Sequence, residues 1–123
     1  MSPRSAEFMA AATEALRGAR AALRADAAGR AASSAYYAML YAARAALSEE
    51  DEHARTHSGT WGLFRRVLVL GGRFDEDLFS RAHAAQETRE LSDYEAAPPS
   101  TERAEEVVEL AERFVGAVEA MLE

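Results

Sequence analysis

The chain has 123 residues, 49% of them hydrophobic, which suits one domain, residues 1–123, with a real core. Its net charge of −7 makes it a poor non-specific binder of nucleic acid, so any RNA contact must be local and built on clustered arginines. The absence of cysteine excludes disulfides, thiolate metal sites and cysteine nucleophiles, and the sequence shows neither a secretory leader nor a membrane span, as expected of a cytoplasmic protein.

Glycine and proline are few, and nearly every apolar run repeats at three or four residues, so the chain reads as all-α. Charge is unevenly spread: residues 1–47 hold six Arg against three acids, and residues 48–123 hold eight Arg against 18 acids. Lysine is absent. Helix 1 is expected from Ser5 to Arg24, with Phe8, Ala12, Ala15, Ala19, Ala22 and Leu23 inward. Arg17, Arg20 and Arg24 then form an outer strip, either a solvated helix back or an attractor of phosphate. Gly29 is expected to break the chain before helix 2, making a short antiparallel hairpin.

Helix 2, residues 30–47, has three stripes and no ordinary solvent face. Ala31, Ala35, Ala38, Ala42 and Ala45 form a smooth ridge that admits a close neighbour, and Tyr36, Leu40, Ala43 and Leu47 form a bulkier core stripe. The third stripe, Arg30, Ser34, Tyr37, Tyr41 and Arg44, offers hydroxyls, aromatic faces and guanidinium groups. Tyr37 and Tyr41, one turn apart, either fill an interface or stack on bases. So much apolar circumference exceeds what one small bundle can cover, and a homodimer is expected.

Residues 48–57 are acidic without an apolar period and read as a loop. Ser58 is the expected cap of a helix over 59–70 that contributes Trp61, Phe64 and Leu68 to the core, with Gly71 and Gly72 ending it. Asp75 caps the next helix, with Glu76 and Asp77 at the positive end of its dipole. After Pro98 and Pro99, the last helix starts at Ser100 or Thr101 and ends near Leu122. Its inner face is Val107, Leu110, Ala111, Phe114, Val118 and Met121, and its back carries Glu105, Glu109 and Glu112.

Three features carry chemistry. On the fourth helix the stripe Leu78, Ala82, Ala85 continues to Arg89, placing a permanent charge where apolar side chains point. Asp93, one turn on, either closes a structural salt bridge with it or leaves it to bind a phosphate in a cleft. The segment Arg55-Thr-His-Ser-Gly59 is either an ordinary capping turn or an anion-holding helix start around His57. His53 and His57 stand four apart, but in a predicted loop and without a third ligand, so no metal site is expected.

Ala35-Tyr-Tyr-Ala-Met-Leu-Tyr-Ala-Ala-Arg44, Arg55-Thr-His-Ser-Gly59 and Arg89-Glu-Leu-Ser-Asp-Tyr94, in that order and spacing, resemble the small prokaryotic HEPN proteins. The resemblance covers nearly the whole chain. It implies an up-and-down antiparallel four-helix bundle with an additional short helix, a homodimer, and a minimal nucleotidyltransferase encoded nearby as partner in a toxin-antitoxin-like module. No cofactor is implied. Some such proteins are metal-independent ribonucleases with a motif of Arg, four to six residues, then His, two copies meeting across the dimer. Arg89 matches the arginine, whereas Tyr94, Glu95 and Ala96 occupy the positions allowed to the histidine. The expectation is an RNA- or nucleotide-binding partner with Tyr37, Tyr41, Arg44, Arg55 and Asp93 around the ligand. The alternative is a ribonuclease using Arg89 with Tyr94 or His57, because 2′-hydroxyl attack on phosphate benefits from a proton carrier and a cation.

Overall fold

The computed structural model of the chain describes residues 1–94 and 97–123, without the side chains of Ser92 and Tyr94. Five helices run in order: α1 Pro3–Arg24, α2 Ala28–Glu49, α3 His57–Phe64, α4 Glu76–Tyr94 and α5 Thr101–Leu122, with a π-helical turn Arg65–Val69 extending α3. No strand occurs among the described residues, so the all-α expectation holds. Helix α2 is the axle, packed against each of the other four.

The closest pairing is α1 with α2, where the alanine ridge does what its small size permits. Ala31, Ala35, Ala38, Ala42 and Ala45 are all fully buried, and α1 comes close enough for the Ser5 hydroxyl to donate to the Ala45 carbonyl at 3.1 Å. Ser5 also donates to Glu49 Oε2 at 2.7 Å, and the Ser2 amide donates to the same oxygen at 2.8 Å. These donors, the Ser2 amide first, pull the Glu49 carboxyl down to about 2.

The rotation of α1 differs from expectation: Met9 and Leu16, with Ser5, Ala12 and Ala19, are buried, while Phe8, Ala15, Ala22 and Leu23 are only partly covered. Alanine on most sides gives this helix little area with which to fix its phase, and the larger Met9 and Leu16 decide it. The break before α2 lies at residues 25–27, not at Gly29, which sits within the first turn of α2. Asp26 makes that turn at φ +57°, a left-handed conformation that Asp tolerates better than most side chains.

Thr56, rather than Ser58, caps α3, its hydroxyl accepting from the Gly59 amide at 2.9 Å. The helix is expected to stay regular to residue 70, but the Leu70 amide donates to the Arg65 carbonyl at 2.8 Å, the longer π spacing. The extra residue per turn lets adjacent Leu68 and Val69 both face the core. Gly72, at φ +77°, then stops the helix as anticipated. Asp75 accepts from the Leu78 amide at 2.8 Å, so the predicted cap holds, and the last helix starts at Thr101 with Ser100 as its cap, accepting from the Arg103 amide at 3.0 Å.

Trp61 sits at the centre of an aromatic cluster with Phe64, Phe79 and Phe114, all buried. Each such ring, fully buried, contributes about 1.5–3 kcal/mol. Helix α5 presents Val107, Leu110, Ala111, Phe114 and Val118 inward as predicted, with Met121 partly covered. Both apolar stripes of α2 are satisfied inside one chain: Tyr36, Leu40, Ala43 and Leu47 are at most 1% exposed. The premise that α2 needs a second copy to cover it is therefore wrong, because α1, α3, α4 and α5 together enclose more of its circumference than a simple bundle would.

Candidate functional site

Of the three stripes of α2, only the third reaches the surface. Arg30 is exposed, and Ser34, Tyr37, Tyr41 and Arg44 are half-buried. Tyr36 and Tyr37 are adjacent, so their side chains diverge by about 100° around the helix. Tyr36 turns in, where its hydroxyl accepts from Trp61 Nε1 at 3.1 Å, and Tyr37 stays at the rim. Their rings meet edge to face at 5.4 Å. Burial pushes the Tyr36 phenol up, outweighing the lowering by the Trp61 hydrogen bond and by Arg89, so it stays neutral.

Two other elements close on this tyrosine pair. From the C-terminal half of α4, Arg89 lays its guanidinium carbon 5.3 Å from the Tyr36 ring centre and 5.7 Å from that of Tyr37. From the first turn of α3, His57 sits 5.8 Å from Tyr36 and 5.6 Å, edge-on, from Tyr37. The start of α3, which carries His57, and the C-terminal half of α4, which carries Arg89, thus converge on one aromatic floor. Sequence alone could not decide whether they meet.

The Arg89 side chain is 16% exposed, so the inward direction read from Leu78, Ala82 and Ala85 is correct. Its Nη1 pairs with Asp93 at 2.9 Å, and Nη2 lies 4.0 Å from Glu90. Asp93 is itself 58% exposed, which keeps this pair weak. Arg89 Nε is buried and has no hydrogen-bond acceptor among the described residues, and neither has the nearby buried Gln86 Oε1 a donor. A buried guanidinium donor without an acceptor is an unmet demand for an anionic or carbonyl oxygen.

Burial lowers the His57 pKa first, and the cations Arg89 and Arg44 lower it further. The imidazole is therefore neutral at neutral pH and can accept a proton. Arg44 is anchored by Nε donating to Thr60 Oγ1 at 3.4 Å, a long contact. Two cations, a neutral imidazole and a half-buried phenol at one rim make a site for a phosphate with a ring stacked beside it.

Other expected residues lie elsewhere. Tyr41, 6.3 Å from Tyr37 between ring centres, faces α1, lining a groove with Arg4 and Phe8. Arg55 is exposed and borders an adjoining groove with Arg4, Phe8, Arg44 and His53, so His53 and His57 serve different surroundings. The side chain of Tyr94, and residues 95 and 96, lie outside the described residues. Of the strip on α1, Arg20 pairs with Glu112 on α5 at 3.1 Å and Arg17 with Glu14, which uses both charges internally. Tyr36 was legible only as core, yet it forms the floor of the site. No sequence signal distinguishes a buried tyrosine that carries a cation from one that merely packs.

Among the described residues, no helix is long and apolar enough to cross a membrane. The sequence matches the HEPN domain family over residues 5–121. It is also similar, 39% identical over 62 residues, to the UPF0332 protein glr0978 of Gloeobacter violaceus. That similarity takes in 50% of this chain and 49% of the relative, so the chain spans about half the length of the curated protein it matches. The family match runs from the start of α1 to the end of α5 and takes in α2, His57 and Arg89: the chain belongs to the HEPN domain family.

Proposed function

We propose that this protein binds RNA or a nucleotide at the Arg89–His57–Tyr37 site, as a homodimer and as the partner of a minimal nucleotidyltransferase in a toxin-antitoxin-like module. One observation carries the ligand assignment: a largely covered guanidinium whose buried Nε–H is unanswered stands over two tyrosine rings beside a neutral histidine. A phosphate oxygen supplies the missing acceptor, and the half-buried Tyr37 ring offers a stacking face for a base. Family membership is consistent with a nucleotide- or RNA-related role. The dimer and the nucleotidyltransferase partner rest on the HEPN resemblance, since the apolar surface of α2 is covered within one chain.

The placement of His57 favours a second reading, a metal-independent ribonuclease. In that reaction neutral His57 takes the proton of a ribose 2′-hydroxyl, the oxygen attacks the adjacent phosphorus, and the bond to the 5′-oxygen breaks. The protonated imidazole returns its proton to the leaving oxygen, giving a 2′,3′-cyclic phosphate and a 5′-hydroxyl. Arg89 stabilises the charge that develops on the phosphorane oxygens. Incubation of purified protein with single-stranded RNA separates the two readings. Binding lost in Arg89→Ala with RNA intact supports the binding module. Cleavage to cyclic phosphate ends, abolished in His57→Ala, supports the enzyme, and an Arg89→Ala variant that changes neither binding nor cleavage rejects both.

A further inference from the structure

Seven of the fourteen arginines pair with a carboxylate: Arg17, Arg20, Arg65, Arg73, Arg81, Arg89 and Arg103. The rest have no carboxylate within 4.0 Å among the described residues, although acids outnumber arginines in this chain. Three of these unpaired arginines, Arg4, Arg44 and Arg55, line one groove of about 280 Å³ between the start of α1, the end of α2 and the loop before α3. His53 joins them, and Glu52 is the single acid on its wall. An acidic protein that leaves three neighbouring guanidinium groups without counter-ions presents a local anion site.

The groove also has a planar surface. Arg4 lies 5.8 Å over the Phe8 ring, and Phe8 and Tyr41 share the wall of the adjoining groove along α1. Tyr41 in turn neighbours Tyr37, whose ring carries Arg89 and His57. Three rings, Tyr37, Tyr41 and Phe8, therefore lie between a cation at each end, Arg89 and Arg4, with Glu7 the one acid on the wall that Phe8 and Tyr41 share. Rings flanked by cations suit single-stranded nucleic acid, whose bases stack and whose phosphates carry charge. An acidic peptide would need the cations but not the row of rings.

We infer that the Arg4–Arg44–Arg55 groove is a second phosphate subsite, and that the ligand is a single strand of RNA laid along the Tyr37–Tyr41–Phe8 row rather than a lone nucleotide. This rests on, and extends, the reading of the Arg89 site given above. The strand holds one phosphate at Arg89 and a further phosphate among the three groove arginines, with bases on the rings between them.

Fluorescence anisotropy with labelled single-stranded oligoribonucleotides of increasing length, and AMP as a competitor, tests this. Wild-type affinity should rise with length and then level off. The double variant Arg4→Ala/Arg55→Ala should lose at least about tenfold in affinity for the long strand and flatten the length dependence. It should also reduce the slope of log affinity against log salt by about 0.7, one single-strand phosphate contact, while leaving AMP competition intact. Glu52→Gln should tighten the long strand, a gain that a merely structural role would not give. Both arginines are exposed or make no hydrogen bond among the described residues, so the fold should persist; Arg4→Gln/Arg55→Gln repeats the test with longer side chains. No length dependence in the wild type, or one that survives the double variant, overturns the inference. Loss of AMP binding in the double variant also overturns it, because the groove would then serve the free nucleotide. Should Arg89→Ala change nothing while the double variant flattens the length curve, the Arg89 reading fails and the groove stands.

Discussion

Replacing Arg89 with Met removes the charge and keeps the unbranched bulk of the side chain, so it separates stability from binding. On the stability side, the variant loses the pair with exposed Asp93, worth about 0.3–0.5 kcal/mol. It also loses the stacking of a guanidinium on two tyrosines, about 1–2 kcal/mol in all at a half-buried site. Against this it removes a buried Nε–H without an acceptor, whose desolvation costs about 1–3 kcal/mol. The terms offset, and urea unfolding at neutral pH should shift by no more than about 1 kcal/mol in either direction. Binding has no such compensation: a charged hydrogen bond to phosphate is worth about 1.5–3 kcal/mol, so affinity for RNA or nucleotide should fall about 10- to 150-fold. A loss of more than about 3 kcal/mol in stability with unchanged affinity would refute the reasoning and make Arg89 a structural residue.

Two other groups give further tests. His57 and Glu49 both have folded pKa values below their usual 6.5 and 4.5, so the unfolded chain binds more protons and each contributes stability that is present above those values. Unfolding free energy should thus decline in two stages on acidification, one beginning near pH 6.5 and one between 4.5 and about 2. His57→Asn should remove the first stage alone, and a profile unchanged by that substitution would contradict the assignment. Tyr36→Phe leaves Trp61 Nε1–H buried without its acceptor and should cost about 1–3 kcal/mol in urea melts. Because the ring under Arg89 remains, RNA affinity should change by less than about threefold, and a larger loss would assign the hydroxyl itself to the site.

The cores of α2 and α5 were readable because their bulky residues recur at one phase, which leaves the helix a single way to bury them. The cap at Asp75 was readable for a similar reason, being a short polar side chain placed just before an apolar run. The phase of α1 was not, since alanine on several faces gives nearly equal burial for neighbouring rotations. The π turn at Arg65–Val69 was equally silent, because it answers to packing of Leu68 and Val69 against other helices and not to local propensity.

For the candidate site the division follows the same physics. A single charged residue at the end of an apolar stripe announced that Arg89 points inward, because a helix fixes direction over every turn. That His57 would share its aromatic floor, or that Arg4 and Phe8 of α1 would continue the row begun by Tyr37 and Tyr41, depends on contacts between residues far apart in sequence. Periodicity within one helix carries no information about which helix lies opposite. By itself the order of residues determined the helices, the inward faces of α2 and α5 and the arginine set apart from solvent. The packing of the other four helices around α2 decided what that arginine touches, since only in the closed bundle do the end of α4 and the start of α3 meet the same two tyrosines.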